Sequence, residues 1–146
     1  MPFTKETAIR TYYESVGEGE ALVLVHGLGS STQDWEYQLP AFKEHFQVIT
    51  YDVRGHGQTE KAKPPYNVPL FAQDLAELLN ELDIEKAHIV GVSMGGWIAF
   101  QFGVDYPELT RSLTIINSWA DMRLKTFDDW MGYFRRAVLF RFFSMR

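Results

Sequence analysis

The 146-residue sequence contains no cysteine. This excludes a disulfide scaffold, a thiolate zinc site and a cysteine nucleophile, and it fits a reducing compartment. It also lacks an apolar run of the roughly 18–20 residues that a membrane-spanning helix requires. The first ten residues, MPFTKETAIR, have no apolar segment of the kind found in secretory leaders, so a cytoplasmic location is expected. Positive charge is in deficit. The net charge of −5 argues against non-specific nucleic-acid binding by the chain as a whole. There is no G-K-[ST] phosphate loop. The Gly27-Leu28-Gly29 stretch lacks the third glycine and the later acidic residue of a dinucleotide fingerprint. No segment is of low complexity, no internal repeat is present, and no linker divides the chain. Histidine is missing from the last 58 residues: all four (His26, His45, His56, His88) lie within the first 88 residues.

With 46% hydrophobic and 23% charged residues, the sequence can build one domain of ordinary size with a substantial core. Charge is unevenly placed. Residues 121–146 carry six Lys or Arg against three Asp or Glu, and residues 1–120 carry eight against sixteen. Period-2 patterning predicts strands near Phe3–Thr7 and Ile9–Ser15, with a turn at GEGE, 17–20. The short apolar run Ala21–Val25 reads as a strand buried on both faces, as in a parallel sheet. Trp35, Leu39 and Phe42 predict a helix over about Gln33–His45, which Pro40 breaks or bends. Gln47–Tyr51 is a further strand, followed by a glycine-rich turn at 54–57 and a polar loop over 58–66. Val68, Phe71, Ala72, Leu75, Leu78, Leu79 and Leu82 form an amphipathic helical stripe, with Pro69 in its first turn. A strand Ala87–Val92, a helix Met94–Asp105 and a strand Arg111–Asn117 follow. Such alternation implies an α/β fold, a mostly parallel sheet with helices on both faces.

The strand Ala87–Val92 runs directly into Gly91-Val92-Ser93-Met94-Gly95-Gly96, with a helix behind it. This is the strand–turn–helix setting of a G-x-S-x-G nucleophile elbow. Ser93 at the apex of so tight a turn must adopt a strained backbone. Side chains at Gly91 and Gly95 would collide with the turn or the adjacent strand. The helix amino terminus brings backbone N–H donors and a positive dipole end to the same place, with the Met94 N–H as the first donor to a developing oxyanion. The alternative is an ordinary glycine-rich turn between strand and helix. His26-Gly27-Leu28-Gly29 follows the strand Ala21–Val25, and so lies at the same carboxyl edge of the sheet, where open α/β folds bind ligands. Its glycines let a backbone N–H, that of Leu28, approach a substrate oxygen. Read alone, it is a tight turn.

Three motifs in this order, HGLGSS (26–31), DVRGHGQTEK (52–61) and GVSMGG (91–96), together resemble the N-terminal half of the α/β-hydrolase fold. The resemblance spans roughly residues 3–120 and points to the small esterases, enol-lactonases and carbon–carbon bond hydrolases. It implies that Ser93 is the nucleophile and that the Leu28 and Met94 N–H groups form the oxyanion hole. Asp52, Arg54 and His56 then belong to a loop that shapes the site, and His26 fixes its own loop. A serine at 93 separates the chain from the haloalkane dehalogenases and epoxide hydrolases of this fold, which use an aspartate there. Val92 replaces the His often found before that serine.

The family triad continues with an acid and then a histidine after the serine. No histidine follows Ser93, and a serine hydroxyl is a poor nucleophile without a base. Asp121 is a minority candidate for the acid. Residues 126–146 place Trp130, Phe134, Val138, Phe142 and Met145 at helical spacing, with Leu139 and Phe143 on a neighbouring line. In the family this is where a helical cap begins; a membrane-surface helix is the competing reading. The expectation is therefore a core portion over 1–120 and the start of a cap over 121–146. The chain would be an N-terminal fragment of a serine hydrolase for small carboxylic esters or lactones. It would use no cofactor and no metal. Its partners would be a small ester-like substrate, with no nucleic acid and no membrane. A C-terminal remainder of the same protein, or self-association through an exposed sheet edge, would complete it. The alternatives are a non-catalytic binding or signalling module on this fold, or a carbon–carbon bond hydrolase.

Overall fold

The computed structural model describes residues 3–5, 7–119 and 131. Five strands form one sheet: β1 (Tyr13–Val16), β2 (Glu20–Val25), β3 (Phe46–Tyr51), β4 (Ala87–Val92) and β5 (Thr110–Ile116). Their order is β1-β3-β2-β4-β5. β1 runs antiparallel to β3, pairing Tyr13 with Tyr51, and every other pairing is parallel. Val23 of β2 sits between Ile49 of β3 and Ile89 of β4. The sheet is thus mostly parallel, and its carboxyl edge gathers the ends of β2, β3 and β4.

The continuous apolar run of β2 is accounted for by burial on both faces. Val23 and Val25 join Ile49, Tyr51 and Ile89 in the larger core, packed against α2 (Val68–Glu81) and α3 (Met94–Asp105). Leu22 and Leu24 turn the other way and meet Val48 and Trp35, with Leu39, Phe42, Val90 and Val92 around them. Alternation along a strand sends successive side chains to opposite faces, so a strand covered on both sides has no polar register. The stripe of α2 is buried at Phe71, Ala72, Leu75, Leu78 and Leu79. Each of these Phe and Leu side chains, taken fully out of water, contributes about 1.5–3 kcal/mol. The Asn67 side chain caps the helix by accepting the Leu70 N–H at 2.9 Å, and Pro69 sits in the first turn, where no N–H is missed.

Three local readings are corrected. The helix expected over Gln33–His45 is a 3-10 turn (Thr32–Trp35) followed by a single helical turn, α1 (Leu39–Phe42). Pro40 has no N–H to donate and its ring would strike the carbonyl of residue 36, so the helix restarts instead of continuing. The strand expected near Phe3–Thr7 contracts to one bridge, Phe3 to Tyr12. The Thr4 hydroxyl accepts the Thr11 N–H at 2.9 Å, a side chain taking a bond that a ladder would otherwise use. The strand expected over Ile9–Ser15 shortens to β1. At the far side, β5 stops at Ile116 because Asn117 turns into the left-handed region (φ 47°). β5 forms the edge of the described sheet, with Leu113 37% and Ile116 38% exposed. No helix among the described residues is long and apolar enough to cross a membrane.

Candidate active site

Ser93 follows β4 and precedes α3 with φ 54° and ψ −114°. A positive φ on a serine, which carries a Cβ, is strained, at about 1–3 kcal/mol, and persists only where the surroundings hold it. They do so here. The Ser93 N–H donates to the Ile116 carbonyl at 3.0 Å, and the Ser93 carbonyl accepts the Gly96 N–H at 3.0 Å. The side chain is exposed rather than packed inward. Two glycines make the bend feasible. A Cβ on Gly91 would strike the Gly95 carbonyl. A Cβ on Gly95 would strike the Val25 carbonyl and come within 2.7 Å of the His26 carbonyl oxygen.

The 26–31 loop lies beside this bend: a Cβ on Gly27 would stand 3.6 Å from Ser93 Cβ. The Leu28 and Met94 N–H groups have no hydrogen-bond partner among the described residues. The Met94 N–H is one of the orphan donors at the start of a helix. The two unpaired amides belong to the residue after Ser93 and to the residue after Gly27, which lies against Ser93. The Leu28 side chain is itself solvent-exposed, whereas that of Met94 is buried.

Buried polar groups hold the loops around this point. The His26 ring is wholly buried. Its Nε2 accepts the Val53 N–H at 3.0 Å, and its Nδ1 lies 2.7 Å from the Gly27 carbonyl oxygen. Burial pushes its pKa down, with the neighbouring His56 ring, 5.2 Å away between centroids, acting in the same direction. Both ring nitrogens are engaged, so His26 has no site left to take a proton from Ser93. Asp52, also buried, spends its carboxylate on two backbone amides, Thr32 N–H and Gln58 N–H, each at 2.7 Å, while its carbonyl accepts the Thr59 hydroxyl at 2.6 Å. It thereby ties the 26–32 loop to the 52–59 loop. Arg54 forks onto Asp74 of α2, Nε to Oδ2 at 2.7 Å and NH2 to Oδ1 at 2.6 Å. The hydrogen bond to Asp74 raises the Arg54 pKa, so the guanidinium stays charged. Burial pushes the Asp74 carboxyl up, against the pull of that guanidinium. His56 is partly buried, with Nδ1 3.1 Å from the Arg54 carbonyl oxygen.

Asp74 escaped the sequence reading, although a lone acid inside the apolar stripe of a helix is a signal for a buried partner. The Thr32 amide and Thr59 were missed as well; nothing local marks them. Asp121 and the cap residues Trp130, Phe134, Val138, Leu139, Phe142, Phe143 and Met145 lie outside the described residues, as does most of the expected 121–146 unit.

The opposite edge of the sheet carries a different cluster. His88 Nδ1 is 2.7 Å from Ser112 Oγ, His88 Nε2 is 3.2 Å from Glu20, and Arg111 pairs with Glu20 at 3.0 Å. An open cleft of about 380 Å³ lies there, lined in part by Glu20, Gln47, Lys86 and Arg111. Ser112 lies within β5, just past a register shift opposite Ala87 and His88, with no residue of positive φ and no helix amino terminus beside it. The cleft is remote from Ser93, at the amino ends of the strands. Among the described residues no group of three or more His, Asp or Glu side chains is placed to hold a metal ion.

A mixed sheet in which the strand beside the central one ends in a strained serine directly before a helix, with a glycine-bearing loop alongside, defines an α/β protein with a strand–turn–helix bend of the elbow type. A family model described as the alpha/beta hydrolase fold matches residues 20–145, and the chain belongs to that family. It is 35% identical over 120 residues to a putative carbamate hydrolase, RutD, of Azorhizobium caulinodans, covering 82% of this chain and 45% of that protein. It is 36% identical over 108 residues to a soluble epoxide hydrolase of a Corynebacterium species, covering 74% of this chain and 38% of the relative. The solved enol-lactonase from Burkholderia xenovorans LB400 superposes with a TM-score of 0.81 at 27% identity, covering 96% of this chain and 59% of that one. The chain spans less than half the length of these curated relatives.

Proposed function

We propose that the intact protein is a serine hydrolase acting on small carboxylic esters or lactones, with Ser93 as nucleophile and the Leu28 and Met94 N–H groups as oxyanion hole. One observation carries this reading: an exposed Ser93 at φ 54°, directly before α3, with the Gly27–Leu28 segment alongside. In the first step the Ser93 oxygen adds to the substrate carbonyl carbon while its proton passes to a base. The carbonyl π electrons move to oxygen, and the two amides stabilise that oxyanion. Collapse expels the alcohol, which takes up the proton, and leaves an acyl-enzyme. Water then repeats the sequence and releases the acid and free Ser93.

The base is a histidine contributed from outside these 146 residues. His26 has both nitrogens occupied, and no histidine follows Ser93 in this sequence. Residues 121–146 would open the cap that forms the pocket wall and selects the substrate. A serine at the elbow, where an epoxide-opening enzyme of this fold would carry an aspartate, favours acyl transfer. The likeness to the enol-lactonase supports a lactone or ester substrate.

The intact protein treated with a fluorophosphonate probe is expected to yield an adduct on the peptide containing Ser93, read by mass spectrometry. No adduct on that peptide from active protein overturns the serine mechanism. A panel of aryl esters, lactones and vinylogous diketones separates ester from carbon–carbon bond cleavage, with turnover expected on the first two.

A further inference from the structure

We propose that Asn117 is a positioning residue for the nucleophile: the turn it makes at the end of β5 clamps the Ser93 bend from the side opposite the Gly27 loop. The inference rests on the serine-hydrolase reading and assigns one residue a defined task within it.

β4 lies between β2 and β5, so the chain leaving each neighbour passes one side of Ser93. On the β2 side stands Gly27. On the β5 side three contacts follow within the four residues Ile116–Trp119. The Ile116 carbonyl accepts the Ser93 N–H at 3.0 Å, one rung past the end of β4. Ser118 lies on the first turn of α3: a Cβ on Gly96 would strike Ser118 Cβ and stand 2.6 Å from its hydroxyl oxygen. The Trp119 ring then meets the Trp97 ring edge-on, with 6.2 Å between centroids. This accounts for two glycines in succession. Gly95 admits the carbonyls at the end of β2, and Gly96 admits the turn after β5. The turn depends on the positive φ of Asn117, 47°. Asn tolerates that region better than most residues with a Cβ, and β-branched residues tolerate it least. The residue itself is exposed, so backbone conformation and not packing accounts for its type. The Ile116 carbonyl belongs to the peptide unit that ends at the Asn117 nitrogen, and that unit is planar. The φ of Asn117 therefore fixes how the carbonyl holding Ser93 sits relative to the Ser118 and Trp119 contacts on α3. The Ser118 hydroxyl oxygen is buried with no hydrogen-bond partner among the described residues, so its position calls for small size and not for polarity.

Two substitutions separate the backbone of Asn117 from its side chain. Asn117→Gly keeps access to positive φ and loses the side chain. Asn117→Val keeps a side chain and loses that access. In the intact protein, Asn117→Val is expected to lower kcat and the rate of fluorophosphonate labelling of Ser93 by about 10- to 100-fold, with KM changed less than about threefold. Both rates are taken per folded molecule, well below the melting temperature. Asn117→Gly is expected to keep both within about threefold of wild type. A role in stability alone would lower the melting temperature and leave the rates per folded molecule unchanged. Wild-type rates in Asn117→Val, or equal losses in the two variants, overturn the proposal while leaving Ser93 as nucleophile. Ser118→Val, which forces the turn away from Gly96, should repeat the loss, and unchanged rates there overturn the proposal as well. Hydrogen exchange of the wild-type protein supplies a readout that needs no variant. The Ser93 amide is expected to exchange as slowly as the amides within β4, and exchange as fast as that of an open loop overturns the proposal even if the variants fail to fold. Absence of any fluorophosphonate adduct on Ser93 in wild type overturns the hydrolase reading and this inference with it.

Discussion

At the carboxyl ends of β2 and β3 the histidine and carboxylate, His26 and Asp52, are buried and bonded to backbone. At the amino edge of the sheet the corresponding pair, His88 and Glu20, lies at the surface and is bonded together. Both ends hold a serine, a histidine and a carboxylate. Ser112, His88 and Glu20 are even connected in a chain, at 2.7 and 3.2 Å, whereas Ser93 touches neither His26 nor Asp52 directly in any recorded hydrogen bond. Side-chain inventory therefore does not distinguish the two ends. Backbone does: one end has a serine of positive φ at a helix start with amides left over, and the other has its serine within a strand, with a register shift between β4 and β5 but no positive φ at that serine. His26 and Asp52 hold the loops at this end together, through the Val53, Thr32 and Gln58 amides.

The contrast is sharpened first by paired alanine substitutions. Ser93→Ala in the intact protein is expected to abolish fluorophosphonate labelling and reduce ester turnover by about four to six powers of ten. Ser112→Ala should leave kcat/KM within about twofold. Comparable losses from the two would erase the distinction between the edges. The next largest effect is on stability. Asp74→Asn strips a buried guanidinium of its charged partner and should cost about 3–5 kcal/mol by urea unfolding. Gly95→Ala, whose methyl meets the backbone of β2 and its following loop, should cost about 3 kcal/mol and disturb labelling of Ser93 through the displaced elbow.

A smaller effect is expected from pH. Burial holds the His26 pKa in the fold below its ordinary value of 6.5, so the unfolded chain binds the proton more readily than the folded one. Stability contributed by the neutral ring is complete above about 6.5 and declines as pH falls from there towards the lower folded-state pKa. Urea midpoints measured between pH 7.5 and 5.5 should show this decline in wild type and a shallower one in His26→Asn. The smallest change is expected at the other edge. Glu20→Gln removes exposed pairings with Arg111 and His88 and should alter stability by less than about 1 kcal/mol, shrinking further in high salt.

Much of the frame was legible locally. Ala21–Val25, Gln47–Tyr51 and Ala87–Val92 are apolar runs too short for helices, and each lies within a strand of the sheet. The stripe from Val68 to Leu79 has the period of one buried helix face, and it forms α2. Where a local pattern was ambiguous, a single residue overruled it. Pro40 divided one helix into two short turns, and the Thr4 hydroxyl displaced a strand ladder. In the candidate site, the glycines at 91 and 95 announce a tight bend because two backbones must approach where a Cβ would intrude. The Arg54–Asp74 fork was not legible. Its partners are twenty residues apart on different elements, and neither position declares the other.

By itself the sequence determined which segments are strands and helices, that a serine sits at a strand-to-helix bend flanked by glycines, and that no later histidine accompanies it. These follow from period, turn chemistry and residue count, which are properties of neighbours along the chain. Only the tertiary structure decided the strand order, the approach of Gly27 to Ser93, and the conversion of His26 and Asp52 into loop anchors. Those depend on which backbone amides are left unpaired once the sheet has formed, a quantity set by contacts between distant segments.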